Sequence, residues 1–114
     1  MKVIFHIDDP ERWPLALGNA ENLLAYCQSR GGLGCTVELL ANGPAVTGYL
    51  PTVAALPRMR QLAAFSEVSF TACANALRGQ GIDPGILPSF VAVVPAGVAE
   101  LATRQAEGYA YIKP

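Results

Sequence analysis

The chain has 114 residues, 52% of them hydrophobic and 15% charged, with a formal net charge of -1. That length supports one packed core and excludes two, while cations scattered singly along a near-neutral chain form no basic stripe and exclude nucleic acid as a main partner. No run reaches the roughly 18 apolar residues of a membrane span, and the low charged fraction points to apolar surface buried against another subunit.

Met1 to Asp8 has one Lys and no small-residue cleavage pattern after it, so it reads as a first strand rather than a targeting segment. Within it, Lys2 to Ile7 is β-branched and aromatic with both alternating sets largely apolar, the pattern of a central strand covered on two faces. Asp8-Asp9-Pro10 supplies caps for a helix whose Ala16, Ala20, Leu23, Leu24 and Cys27 fall at helical spacing and which Gly31-Gly32 ends. Cys35 to Ala41 is a second strand, closed by the turn signal Asn42-Gly43-Pro44. Ala45 to Leu56, punctuated by Gly48 and Pro51, reads as a loop with one helical turn. Pro57 then opens a helix carrying Met59, Leu62, Ala63 and Phe65 on one stripe.

Val68 to Ala72 is the third strand and Cys73 to Arg78 a short helix. Asp83-Pro84 starts another brief turn of helix, and Phe90 to Val94 is a fourth strand. Pro95-Ala96-Gly97 leads into a helix whose Val98, Leu101, Ala102 and Gln105 share a face, with Gly108 as its C′ residue, and Tyr109 to Ile112 forms a last strand. Strands alternating with helices throughout mean a single three-layer α/β domain, residues 1–114, with a parallel sheet of about five strands and right-handed crossovers.

In such a sheet the ligand crevice lies beyond the carboxyl ends of the strands. That rule gathers Asp8 and Asp9 after strand one, Asn42 and Gly43 after strand two, Cys73 and Asn75 after strand three, and Pro95 to Gly97 after strand four. Cys27 and Cys35 flank the entry to strand two and belong at the opposite rim. Three cysteines with no C-x-x-C pair argue against a disulfide framework or zinc knuckle and for a reducing cytoplasm.

Cys73 stands where a strand gives way to a helix, a position at which unpaired backbone N–H groups and the positive end of a helix dipole stabilise thiolate over thiol. The alternative is a small buried residue that closes the strand. His6, the sole histidine, could reach that thiol, although a lone histidine on a buried strand is more often a hydrogen-bonded core residue. Asn42 and Asn75 suit backbone caps as well as a rim site. Asn19 and Asn22 read as solvated helix positions, with Asn22 also able to approach the loop after strand one. Gly97 permits a tight turn, and the N–H groups beside it could hold an anion. Pro95-Ala96-Gly97 is not a phosphate-loop sequence, one histidine and dispersed cysteines supply no metal set, and no motif calls for a cofactor.

Phe5-His6-Ile7 with Asn19 and Asn22, Ala41-Asn42-Gly43, Cys73-Ala74-Asn75-Ala76-Leu77, and the block from Val94-Pro95-Ala96-Gly97 to Tyr109-Ala110-Tyr111-Ile112 resemble the DsrE-like proteins of the sulfur-relay group, and the likeness covers essentially the whole chain. The resemblance implies a five-stranded parallel sheet with 4-3-2-1-5 as a candidate order, and a homotrimer or a hexamer built from such units. It also implies sulfane sulfur held as a persulfide on Cys73, taken from a donor protein and passed to an acceptor protein, a sulfurtransferase-type activity. Ala74 and Asn75 would supply amides for the persulfide anion. Two further readings remain: a noncatalytic oligomeric module that holds a small anionic ligand at the carboxyl rim, and a structural assembly partner without chemistry of its own.

Overall fold

A computed structural model describes residues 1–31 and 34–114. Five parallel strands, β1 (Lys2–Ile7), β2 (Thr36–Ala41), β3 (Val68–Cys73), β4 (Val91–Val94) and β5 (Ala110–Ile112), form one sheet in the order β4-β3-β2-β1-β5. The fold class is the one read from the alternation of elements, and the strand order is the candidate that the family resemblance implies. Partners in a parallel pair share a face, so the register fixes what each face presents: Val3 lies opposite Val37, Leu39 opposite Phe70, Leu40 opposite Thr71, and Cys73 opposite Val94.

The first three crossovers lie on one face. They carry α1 (Trp13–Ser29), α2 (Leu56–Ala63) and α3 (Ala74–Gly79), and they pack Trp13, Leu17, Met59 and Leu77 onto Val3, Phe5, Val37, Leu39 and Phe70. Each large side chain buried this way contributes roughly 1.5–3 kcal/mol before the entropy of ordering is subtracted. The first part of the stretch read as a loop with one turn belongs to a 3-10 helix, Gly43–Tyr49, with Ala45, Val46, Gly48 and Tyr49 buried. Two polar tips stitch it in: the Trp13 indole N–H donates to the Ala45 carbonyl at 2.9 Å, and the Tyr49 hydroxyl donates to the Thr71 carbonyl at 2.9 Å. Gly48 is the slot for that indole, since a Cβ there would lie 2.1 Å from Trp13 Nε1.

Among the described helices, only α4 (Gly97–Ala106) covers the other face, where Leu101 meets Ile4 and Leu40 with Val94 and Tyr109 alongside. Here the expected apolar stripe is corrected. Of Val98, Leu101, Ala102 and Gln105 only Leu101 is buried, and Val98 is 73% exposed. The helix is turned to bring Arg104 to Glu38, which projects from the middle of β2 and is almost wholly buried. Arg104 Nε donates to Glu38 Oε1 at 2.9 Å and to Glu100 Oε2 at 3.2 Å, Arg104 Nη1 donates to Glu107 at 3.0 Å, and the Thr71 hydroxyl donates to Glu38 Oε2 at 2.8 Å. A buried carboxylate left without these partners would be strongly destabilising, so the ionic contact sets the helix's rotation ahead of the apolar pattern.

Smaller differences have local causes. Asp9 accepts from the Glu11 N–H and caps a 3-10 turn, Pro10–Arg12, so α1 proper begins at Trp13. It ends at Ser29 with Arg30 as its cap, and Gly32 lies outside the described residues. Phe90 falls in a turn closed by the Val91 N–H to the Pro88 carbonyl, and its ring packs edge-on against Phe70, so β4 starts one residue later than expected. Phe65 lies beyond the end of α2 and is exposed.

Burial and the adjacent Glu100 carboxyl push Glu38 up to about 7, against the opposing pull of Thr71 and Arg104. A carboxyl that binds its proton more tightly in the folded than in the unfolded chain gives stability that is full below about pH 4.5 and lost as pH rises through about 7. Glu38→Gln is therefore expected to remove a decline of roughly 3 kcal/mol across that window. Urea unfolding of both proteins at a series of pH values measures it, and parallel curves would refute the assignment.

Candidate functional site

The carboxyl ends of the strands bring Cys73, Asn42, Gly97 and His6 into one group. Cys73 is the last residue of β3 and the N-cap of α3, and its Sγ accepts the Ala76 N–H at 3.4 Å. The start of α4 closes over the same point. A Cβ on Gly97 would lie 3.2 Å from Cys73 Cβ and 3.1 Å from Asn42 Cβ, so the glycine is what lets the two strand ends and the helix meet. Ala96, the N-cap of α4, makes no side-chain capping bond. The amino end of α3 thus donates one N–H to the sulfur, and the first residue of α4 packs against the same side chain.

Asn42 is held from behind by His6. With Nε2 against Asn42 Oδ1 at 3.0 Å and Nδ1 against the Tyr111 hydroxyl at 2.6 Å, the imidazole donates through Nε2 and accepts from the phenol through Nδ1. That orientation leaves Asn42 Nδ2, a donor, turned toward Gly97, where it would lie 3.4 Å from a Cβ. His6 therefore touches the amide beside the thiol and is a hydrogen-bonded, half-buried residue of the sheet.

The other rim positions stand further out. Asp8 pairs with Lys113 at 3.0 Å, and that contact holds its carboxyl below the usual carboxylate range. Gly43 lies against the Asp8 carbonyl at the start of the 3-10 helix. Asn75 is exposed and accepts from the Arg78 side chain, Ala74 is half-buried, and Pro95 is exposed. Asn22 does not join the group: it is exposed on α1, nine residues past Trp13, about 13 Å along the helix at 1.5 Å per residue. Cys73 itself is only 7% exposed, so its thiol is mostly covered in the single protomer.

One feature escaped the sequence: Tyr111 read only as a strand residue, and its place beside His6 follows from β5 pairing with β1. Cys27 and Cys35 lie at the opposite rim as expected, at the end of α1 and the start of β2. Among the described residues, no three His, Cys, Asp or Glu side chains gather as metal ligands would, and no helix is long and apolar enough to cross a membrane.

Gly97→Ala should cost about 1–3 kcal/mol, because the new methyl meets two backbone-anchored Cβ atoms that cannot swing aside. Chemical denaturation reads the loss, and a change below 0.5 kcal/mol would mean that the rim relaxes without strain.

Comparison with known proteins returns no match among functionally curated ones. A solved structure, that of the protein of unknown function MTH1491 from Methanobacterium thermoautotrophicum, superposes with a TM-score of 0.88 at 34% identity over 99% of this chain and 98% of that one. The model of the DsrE/DsrF-like family matches residues 1–114. With the five-stranded sheet and its strand order in place, the chain belongs to the DsrE/DsrF-like family.

Proposed function

We propose that this protein carries sulfane sulfur as a persulfide on Cys73. One observation bears most of the weight: Cys73 sits where the amino end of α3 meets the first residue of α4, and its sulfur already accepts a backbone N–H. In the loading step the Cys73 thiolate attacks the outer sulfur of a donor persulfide. A new S–S bond forms at Cys73, the donor's S–S bond breaks, and the electron pair leaves on the donor thiolate. Discharge reverses these roles, with an acceptor thiolate attacking the outer sulfur on Cys73. Donor and acceptor proteins and a reducing cytoplasm belong to this reading. Because Cys73 is mostly covered, the exchange requires the α4 end of the rim to move outward.

A second reading keeps the geometry without the chemistry. His6 holds the Asn42 carboxamide with Nδ2 toward Gly97, beside an α4 amino end with no side-chain cap, a donor set that would suit a small bound anion.

Reduced wild-type protein exposed to a persulfide donor is expected to gain one sulfur, about 32 Da, per chain at Cys73. Cys73→Ser should gain none, and Cys27→Ser and Cys35→Ser should load as wild type. Intact mass with peptide mapping decides the matter. Loading spread over all three cysteines, or absent from folded reduced protein, would favour the anion-binding module.

We also propose a homotrimer, or a hexamer made of two. Val98, Tyr111 and Ile112 form exposed apolar surface on α4 and the β5 edge, where a second copy would cover it. Light scattering at micromolar concentration should give three or six times the chain mass, and a clean monomer would overturn the proposal.

A further inference from the structure

Helix α4 lies lengthwise along β2, and three contacts hold it there. Gly97 meets Asn42 just past the strand's end, Leu101 meets Leu40 two residues back, and Arg104 reaches Glu38 two residues further. Residues 38, 40 and 42 alternate onto one face of the strand, while 97, 101 and 104 follow the i, i+4, i+7 spacing of one helix stripe. The same Gly97 lies against Cys73, where a Cβ on the glycine would come within 3.2 Å of the cysteine Cβ. How closely α4 sits on β2 therefore decides how well that side chain is covered.

The three contacts are unequal. Gly97 has no side chain with which to grip, and Leu101 is the one large side chain that α4 buries. At its amino end α4 is joined to β4 by Pro95 and Ala96 alone, a short link on which it can pivot. Arg104 is the strongest tie. Glu100 and Glu107, its other carboxylate partners, lie on α4 and at its cap, so Glu38 is the partner that binds the helix to the sheet, at 2.9 Å. The second Glu38 oxygen is fixed in turn by the hydroxyl of Thr71, at 2.8 Å, two residues before Cys73 on β3.

We propose that Arg104 and Glu38 are positioning residues for Cys73: their contact latches α4 over the thiol, and its release lifts Gly97 away to admit a sulfur donor or acceptor. The proposal rests on the reading of Cys73 as the reacting thiol, and it names what controls the outward movement that reading requires. Arg104 stands seven residues from Gly97, about 10 Å along the helix, so the latch acts through the helix and never touches the sulfur.

The test is alkylation of native protein at about pH 8, where Glu38, pushed up to about 7, is ionised. A covered thiol reacts through the openings that expose it. Arg104→Met keeps an unbranched apolar stem and removes the guanidinium, and it should raise the Cys73 rate at least about tenfold. Cys27 and Cys35, each 7% exposed like Cys73 but at the opposite rim, are the internal reference and should change less than about twofold. Glu38→Gln should act in the same direction, and the double variant should not exceed the larger single effect, as for side chains that work as one pair. In wild type, a measurement that depends on no variant folding, the amide hydrogens of α4 should exchange through a partial opening that leaves α1 protected. Equal acceleration of all three cysteines, an unchanged Cys73 rate in folded variants, multiplied effects in the double variant, or α4 exchanging only with global unfolding would each overturn the latch. Alkylation reports access to the sulfur whether or not it ever bears a persulfide, so a protein that fails to take up sulfane sulfur leaves this result standing.

Discussion

The second face of the sheet depends on how α4 is seated, and the ion pair between Arg104 and the buried Glu38 seats it. A single short helix offers little apolar surface to hold itself in place: Leu101 is its one buried large side chain. Arg104 adds a fixed anchor, because the ionised form of Glu38 needs the guanidinium and the Thr71 hydroxyl as partners in the sheet's interior. The Arg104 guanidinium also lies over the Tyr109 ring, at 5.2 Å, which ties the end of α4 to the approach to β5. With the carboxyl half of α4 fixed in this way, its first residue, Gly97, falls between the ends of β2 and β3. The geometry around Cys73 is therefore set about two turns of helix away, by a contact on the same face of the sheet.

This dependence explains why some of the molecule was legible in the sequence and some was not. Strand and helix alternation, the five strands and the position of Cys73 at a carboxyl end follow from local apolar runs and from caps such as Asp83-Pro84, features that need no knowledge of neighbours. The inward face of α4 was misjudged because Val98 and Ala102 are apolar and Arg104 is not. Hydropathy cannot register that a charged residue faces inward when the reason sits on β2, far along the chain. The 3-10 helix Gly43–Tyr49 was hidden in the same way, since its glycines and proline are loop signals locally, and only the Trp13 ring explains Gly48.

At the rim, Cys73, Asn42 and Gly97 were found by a topological rule that works from strand ends. His6 and Tyr111 needed the strand order, which places the first strand beside the last. Asn22 failed because helical spacing tells which face a residue occupies but not how far down the helix it has travelled from the rim. Asp8 and Asn75 reach the right region, yet their side chains are taken by Lys113 and Arg78. The group that remains is small and polar on one side, with Asn42 steadied by a histidine that itself leans on a phenol. The one hydrogen bond to the sulfur comes from the backbone N–H of Ala76 and not from a side-chain cation, so it is set by the fold and cannot be removed by replacing a charged side chain.

The His6–Tyr111 hydrogen bond joins positions 105 residues apart, and that span orders events during folding. β1 to β4 can pair with one another before α4 crosses back, and an intermediate of that kind would contain Cys73 at the end of its strand with Asn42 nearby. It would lack the phenol behind His6 and the glycine over the thiol. Contacts so distant in sequence carry a large loop-closure cost and tend to form late. The sulfur would therefore spend the early life of each molecule as an ordinary, uncovered cysteine and acquire its protection in the step that completes the sheet.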